Sequence, residues 1–413
     1  MQSLPAFRSR STVQLNSLAG YLLLAVAASE TLTATSPWAA LWTTPCIIVA
    51  SMLIAWGAES AQFFVAQGFA LAILAWMQTL PEFAIEAVLA WRQQTPLLLA
   101  NLTGALRLLT GLAWPMIYVT AAVMHRRRLQ RPLQKIQLHR HHSVEILALI
   151  LPLFYALVIW WKATLTVYDA IVLIVLYAAY LILLTKLPPE ESEGIEDLEA
   201  IPRAIVTAKP IRRNIAIAFL FLAGGTLIYF TAEPFLGSLV AVATALGIPS
   251  FVVIQWLAPV ISEFPELAST FYFARQEGKA PVALMNIVSS NVNQWTLLVA
   301  MLPIVLSLSH GQVTDLQFDP EQRAELILTI TQSFTGLVFL LNMEFAWWEA
   351  LVMFILFAAQ FVLPPITGPL THPVITATFA LWAVIGIVKF ALRRPAHNAL
   401  ASFAETWRAH VSN

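Results

Sequence analysis

Charge is scarce in this 413-residue chain. Only 11% of the residues are Asp, Glu, Lys or Arg, against about 25% in a soluble domain. Apolar residues make up 59% and fall in repeated runs of about 20, the length that crosses a bilayer as a helix. These two facts exclude a soluble globular fold and define an all-α polytopic membrane protein. Cysteine is nearly absent: the single Cys46 lies in an apolar run, which rules out a disulfide framework or a cysteine metal cluster. Histidine avoids the span centres, since positions 125, 139, 141, 142, 310, 372, 397 and 410 all fall in loops, tails or span edges. Without an HExxH pair or a Ser–His pair at mid-membrane, an intramembrane protease or other enzyme is disfavoured. Net charge is zero, so the balance points to no partner and no nucleic-acid partner is expected; what matters is where the charges sit.

The apolar runs fall at 16–35, 40–66, 69–91, 96–124, 144–162, 166–187, 213–246, 249–274, 280–309, 323–343, 346–364 and 372–392, about twelve transmembrane helices. Placing both termini in the cytoplasm sorts the basic residues. The segments 8–10, 126–140, 186–213, 275–279 and 389–408 then lie inside, only Arg92, Lys162 and Arg323 lie outside, and Arg107 falls within a span. This is the asymmetry the positive-inside rule demands. A multi-pass protein of the cell membrane is expected, most simply a prokaryotic plasma membrane, with the lipid bilayer as its first partner. The stretch 17–34 is read as a retained helix, not a cleaved signal peptide, for want of a clear small-residue cleavage site.

Two loops hold much of the remaining charge. HRRRLQRPLQKIQLHRHH at 125–142 reads as a cytoplasmic topology anchor; binding of anionic lipid, or of a metal through His139, His141 and His142, is the alternative. The segment 188–214 runs from acidic to basic and reads as a solvated linker between two halves. Its acids lack the EF-hand spacing that a regulatory calcium site would need.

The chain repeats itself. AWMQTLPEFAIEAVLAWRQQTPLLLANLTGALRLLTG at 75–111 parallels PVISEFPELASTFYFARQEGKAPVALMNIVSSNVNQWTLLVA at 259–300. Each has Pro-Glu inside an apolar helix, a polar turn, and a second apolar helix with an Asn near its start. A weaker echo pairs GAES at 57–60 with TAEP at 231–234, and so Glu59 with Glu233; these acids line an access path or cap helix ends near an interface. Five helices per half make the halves inverted across the membrane. Paired interrupted helices in inverted repeats mark a transport site near the midplane. The expected layout is an N-terminal extra helix (1–39), a first half (40–187, α-repeat about 69–124), a linker (188–212), a second half (213–364, α-repeat about 247–309), and a C-terminal helix with tail (365–413).

These residues resemble the calcium/cation antiporter superfamily, which includes the sodium/calcium exchangers. Its repeats carry a pattern close to GTSLPEL followed by GNVVGSNIFN. The match is good at 247–300, through FPEL and NIVSSNVNQW, and degraded in the first repeat. The resemblance implies two inverted five-helix repeats of exchanger type with one extra helix at each end. It places Gln78 and Thr79, and in the second repeat Ser262 and Glu263, at the hydroxyl positions before the glutamates. Ser290 and Asn291 match the Ser-Asn pair, and Gln294 falls where the family has a coordinating Asn or Asp, with Asn293 beside it. The first-repeat equivalents are Ala105, Leu106 and Leu109, so half of the partner-helix ligands are gone.

The residues themselves support cation chemistry. A hard cation needs oxygen ligands, and carboxylates add charge. Glu82 and Glu266 follow Pro81 and Pro265, and each proline frees the carbonyl four residues earlier, at Met77 and Ile261. Glu82 and Glu266 are therefore the expected metal ligands. Glu82 with Glu86, and Glu263 with Glu266, share helix faces. Arg107, too costly to face lipid, is expected to pair with Glu82, Glu86, Glu263 or Glu266, and in particular to compensate Glu263; its other reading is a permanent ion pair locking two helices. Four carboxylates and one arginine leave −3 if all ionise. Clustered acids do not all ionise, so protons compete with metal. An internal cation also lowers the metal charge the site needs, hence a weaker calcium preference. The expected function is secondary antiport by alternating access, Na+ or Ca2+ against H+ or Na+, with no cofactor beyond the transported ions and a monomer able to work. The alternative is a transport-inactive regulatory or scaffold relative, motivated by Ala105, Leu106 and Leu109.

Overall fold

A computed structural model describes residues 36–64, 79–186, 195, 198–364, 368–393 and 398–410. The expected span 16–35, the first part of 69–91, and the residues Met77 and Gln78 lie outside the described residues. The first half contains α1 (Ala40–Ala61), α2 (Leu80–Trp91), α3 (Thr95–Leu108), α4 (Trp114–Leu129), β1 (Lys135–Gln137), α5 (Ser143–Ala148), α6 (Ile150–Lys162), β2 (Thr164–Leu165) and α7 (Val167–Thr185). A short helix, α8 (Ala200–Val206), lies in the expected linker. The second half contains α9 (Pro210–Leu246), α10 (Ser250–Ser262), α11 (Phe264–Ala274), α12 (Ala280–Asn293), α13 (Val299–His310), β3 (Leu316–Gln317), α14 (Pro320–Leu340), β4 (Glu344–Ala346) and α15 (Trp347–Val362). Two further helices follow, α16 (Thr371–Arg393) and α17 (Ala399–His410).

Every expected span from 40–66 onward contains a described helix. By length and apolarity, seven helices among the described residues qualify as membrane spans, or eight if the bent pair α10–α11 is one span. The repeat shows in the backbone. α3 and α4 form one rod interrupted by a π-helical turn at Leu109–Ala113, and α12 and α13 form another, interrupted at Gln294–Leu298. Both π turns begin at the positions the repeat alignment equates, Leu109 and Gln294. Extra residues in a helix commonly mark functional positions.

Two small antiparallel ribbons tie the halves together. β1 pairs with β4, setting Ile136 opposite Phe345, and β2 pairs with β3, setting Leu165 opposite Leu316. Strands can pair only on the same side of a membrane, so each ribbon fixes an even number of crossings between its members, as the span order requires. The β1–β4 ribbon is pinned from beneath: Trp114 on α4 meets Phe345 edge-on at 6.0 Å, and Tyr118 meets the same ring at 6.4 Å. Helix starts follow local chemistry. Thr166 with Asp169 caps α7 and Asp319 with Gln322 caps α14, each pair satisfying backbone donors that the first turn leaves open.

One contact between halves leaves no room for a side chain. A Cβ on Gly104 would lie 1.8 Å from the carbonyl oxygen of Gln255, so α3 and α10 touch backbone to backbone. Gly104→Ala must push them apart. Overpacking costs about 1–3 kcal/mol, and here the obstacle is backbone, which cannot swing aside. The variant is expected to melt at a distinctly lower temperature than the parent in detergent, followed by intrinsic fluorescence; an unchanged melt would show that this crossing yields freely.

Candidate cation site

Each Pro-Glu motif opens a helix. α10 ends at Ser262, α11 begins at Phe264, and the axes bend by 53° between them. Pro265 is the cause, because it has no N–H to offer the Ile261 carbonyl. Glu266 then falls in the first turn of α11, as Glu82 falls in the first turn of α2 behind Pro81. Helix N-termini favour negative charge, which suits carboxylates that must hold a cation in an apolar setting.

Glu82, Glu86, Glu263 and Glu266 are each no more than 2% exposed. They interact electrostatically: Glu82 senses Glu86 and Glu266, and Glu263 adjoins both Glu82 and Glu266. Gln294, at the head of its π turn, joins the two repeats. Its Nε2 donates to Glu82 Oε2 at 2.6 Å and to Glu263 Oε1 at 2.7 Å. Beside it, Asn293 Nδ2 donates to Thr79 Oγ1 at 2.5 Å. In the first repeat Asn101 Nδ2 donates to Glu86 Oε1 at 2.9 Å. Ser262 folds back on its own helix, donating to the Ala258 carbonyl at 3.1 Å.

The chemical character of the cluster lies in what is left unpaired. Glu82 Oε1, Glu86 Oε2, both Glu266 oxygens, Asn101 Oδ1, Ser290 Oγ, both polar atoms of Asn291, Asn293 Oδ1 and Gln294 Oε1 are buried without a hydrogen-bond partner. Buried acceptors left unpaired are costly and uncommon. Apart from the hydroxyl and one amide nitrogen, these are acceptor oxygens, the ligand type of hard cations. Among the described residues no lysine, arginine or histidine forms an ion pair with any of the four carboxylates. Glu82, Glu263, Glu266, Thr79, Ser262, Ser290, Asn291 and Gln294 are thus brought to one buried region, and Gln78 lies outside the described residues.

The expected pairing of Arg107 is corrected. Arg107 Nη2 pairs with Glu325 Oε2 at 2.6 Å, and not with Glu82, Glu86, Glu263 or Glu266. The same guanidinium donates to Gln360 Oε1 at 3.1 Å and to the Thr103 carbonyl at 3.0 Å, and lies over the Trp256 ring at 4.8 Å. Glu325 also receives Gln255 Nε2 at 2.9 Å and faces His372 Nε2 at 2.6 Å. Gln332 links Thr110 and the Arg107 carbonyl to Gln360. This closed network joins α3, α10, α14, α15 and α16. Glu86 likewise is no partner of Arg107, being held by Asn101. The physical reason is rotation about the helix: Ala105, Leu106 and Leu109 are buried in the hydrophobic core or against it, while Arg107 points toward α14. The reading of Arg107 as an ion pair that locks helices therefore stands, with a different partner.

Glu325 was missed in the sequence reading, and the signal it offered was weak. It is an acid near the start of the span 323–343, and Thr329 and Gln332 follow it on the same helical face. Asn101 was visible as the Asn near the start of the second helix of the repeat, without an assigned role. As for the echoed acids, Glu59 is buried on α1, while Glu233 lines a cavity of about 1260 Å³ beside α1, α2 and α9 and pairs with Arg92 at 2.6 Å. Glu344, the first residue of β4, pairs with Lys135 across the β1–β4 ribbon, and Glu349 caps the start of α15.

Gln294 offers a direct check on this geometry. Gln294→Leu removes two hydrogen bonds to carboxylates, each worth about 1.5–3 kcal/mol. It should weaken cation binding, measured by isothermal titration on purified protein, by at least about tenfold; wild-type affinity would show that Gln294 only fills space.

A helix broken ahead of Pro265 in the second half and a helix opened by Pro81-Glu82 in the first, with buried carboxylates meeting between the repeats, define a membrane protein of the cation-exchanger fold. The chain belongs to the sodium/calcium exchanger protein family, which matches residues 15–186 and 216–364. It is similar to the crystal structure of the H+/Ca2+ exchanger CAX, with 30% identity and a TM-score of 0.82 over 97% of this chain and 98% of that one. The sodium-calcium exchanger NCX_Mj (18% identity, TM-score 0.52, 78% of this chain and 97% of that one) and YfkE (15% identity, TM-score 0.55, 84% and 92%) share the fold. Comparison with curated proteins gives no match.

Proposed function

We propose that this protein is a secondary cation antiporter that exchanges a hard cation for protons at the Glu82–Glu263–Glu266 cluster by alternating access. The carrying observation is the set of buried carboxylate and amide oxygens without partners, concentrated where the two repeats meet. A cation or protons would satisfy the same oxygens, so each displaces the other, which is the elementary requirement for exchange. Because Glu325 neutralises Arg107, no fixed cation among the described residues offsets the cluster. The argument for a weakened calcium preference falls with it, and a divalent ion such as Ca2+ suits the charge better than Na+ alone. The similarity to an H+/Ca2+ exchanger supports the same choice.

Glu82 and Glu266 are the proposed first ligands, with amide oxygens of Asn291 and Gln294 and the hydroxyls of Ser290, Thr79 and Ser262 completing the shell. All of them come from one chain, so a monomer suffices. The basic-residue asymmetry supports a cell-membrane protein with both termini cytoplasmic. The second reading is a transport-inactive relative, favoured by the apolar Ala105, Leu106 and Leu109 in the first repeat. Purified protein in liposomes with an internal pH dye decides between them. External Ca2+ is expected to drive proton movement that protein-free liposomes lack; no cation-dependent proton flux with Ca2+ or Na+ would establish the inactive relative.

A further inference from the structure

Far along the chain from the carboxylate cluster, His139, His141 and His142 come together at the turn that leads into α5. One ring nitrogen from each lies within 4.8 Å of the others, and the ring centroids are 4.4–5.5 Å apart. Ring packing explains any one of these contacts, but not the convergence of three ligand nitrogens. His142 is fully buried, His141 half-buried and His139 exposed, so the group has a fixed floor and an open, hydrated mouth. The setting is rigid. β1 leads into the turn and is held by β4, and α17 packs against both the turn and α5. The loop is basic, which would repel a cation, yet three of the six basic side chains in 125–142 are paired, including the one inside the turn: Arg140 pairs with Glu405 at 3.0 Å, Arg128 with Glu277 at 3.3 Å, and Lys135 with Glu344.

We propose that His139, His141 and His142 form a binding site for a borderline divalent transition metal of the Zn2+, Co2+ or Ni2+ class, separate from the transported ion. Imidazole nitrogen selects these metals, while Ca2+ and Na+ require oxygen. Three imidazoles and one water make the open tetrahedral set of zinc. Its bond lengths of about 2.0–2.1 Å place the nitrogens about 3.4 Å apart, which rotation of the accessible His139 and His141 side chains achieves. His142 Nδ1 accepts the His139 backbone N–H at 3.3 Å, a long bond that gives way when the ring binds metal. A metal here clamps the turn on which the C-terminal helix α17 rests.

The test uses the full chain, purified through a tag without histidine, stripped of metal, and titrated with Co2+. One Co2+ per chain with the visible absorption of a tetrahedral site is expected, displaced by Zn2+ and not by excess Ca2+. His139→Ala and His141→Ala, at accessible positions, should each lower Co2+ affinity by at least about tenfold, while His125→Ala, outside the triad, binds as the parent does. Thermal melts of the metal-free variants should match the parent. Absence of Co2+ binding by the parent, parent-like binding by the His139→Ala/His141→Ala double variant, or displacement by Ca2+ would each overturn the proposal.

Discussion

Glu266→Gln is expected to abolish exchange without unfolding the protein. The Glu266 carboxylate is buried with no well-formed hydrogen bond to either oxygen, and Ser290 and Glu263 lie beside it. The amide has the same shape, and its new N–H₂ faces the Glu263 carboxylate, an acceptor. Folding therefore loses at most a weak contact with Ser290, and the relief of a crowded buried acid favours the variant. Transport loses a charged ligand. Cation-driven proton movement in everted vesicles should fall by about 100-fold or more, beyond what loss of a supporting partner alone does, while the ion-free melting temperature stays level or rises. Wild-type exchange by Glu266→Gln would remove Glu266 from the ligand set. Loss of exchange together with a collapsed melt would mean that the carboxylate is structural. The paired variant Glu82→Gln has a different expectation for stability, because Gln294 donates to Glu82 and that bond weakens when its acceptor loses charge.

Arg107→Ala should do the reverse, with a large loss of stability and no change in ion preference. Removing the guanidinium leaves Glu325 buried with only Gln255 and the edge-lying His372 to face it. Breaking one side of a buried ion pair typically costs about 3–5 kcal/mol, and the Gln360 carbonyl and the Trp256 ring lose their partner as well. The expected outcome is poor yield and a lowered melt, with residual protein showing the parent's order of preference among Ca2+, Na+ and H+. From the repeat pattern alone the opposite was expected, a shift in selectivity, because Arg107 replaces a polar ligand region. A shifted selectivity at an unchanged melting temperature would return Arg107 to the cation site. Glu325→Gln is the milder companion: it keeps a hydrogen-bonding side chain between Gln255 and His372 but leaves Arg107 charged, so it should also destabilise.

These two variants separate ligands from struts among charges that look alike in the sequence. Glu266 and Glu325 are both buried acids in largely apolar helices, yet Glu266 has no cationic partner among the described residues while Glu325 is held by Arg107, His372 and Gln255. Local pattern distinguishes them only in part. The Pro-Glu pair marked Glu266 because proline breaks a helix whatever surrounds it, and the 53° bend appears where that rule places it. Glu325 lacked a local marker, and its role comes from α3, α10 and α16 arriving at α14 from distant parts of the chain.

The sequence by itself determined the membrane class, the span order, the inverted repeat and the acids at its centre. Each of these follows from local physics: hydrocarbon tolerates only apolar helices, proline cannot donate, and a repeated motif folds alike in both copies. Even the degraded first repeat was readable, since Leu109 and Gln294 begin matching π turns. Only the tertiary structure decided how charges pair. Glu263 meets Glu82 through Gln294, Arg107 turns away to Glu325, and Gly104 lets α3 and α10 approach closely enough for Gln255 to reach that pair. The reason is that an ion pair is set by the rotation of each helix about its axis and by the neighbour it then faces. Helix period narrows the face, but in a bundle of this size every face has a neighbour, and packing alone selects which one.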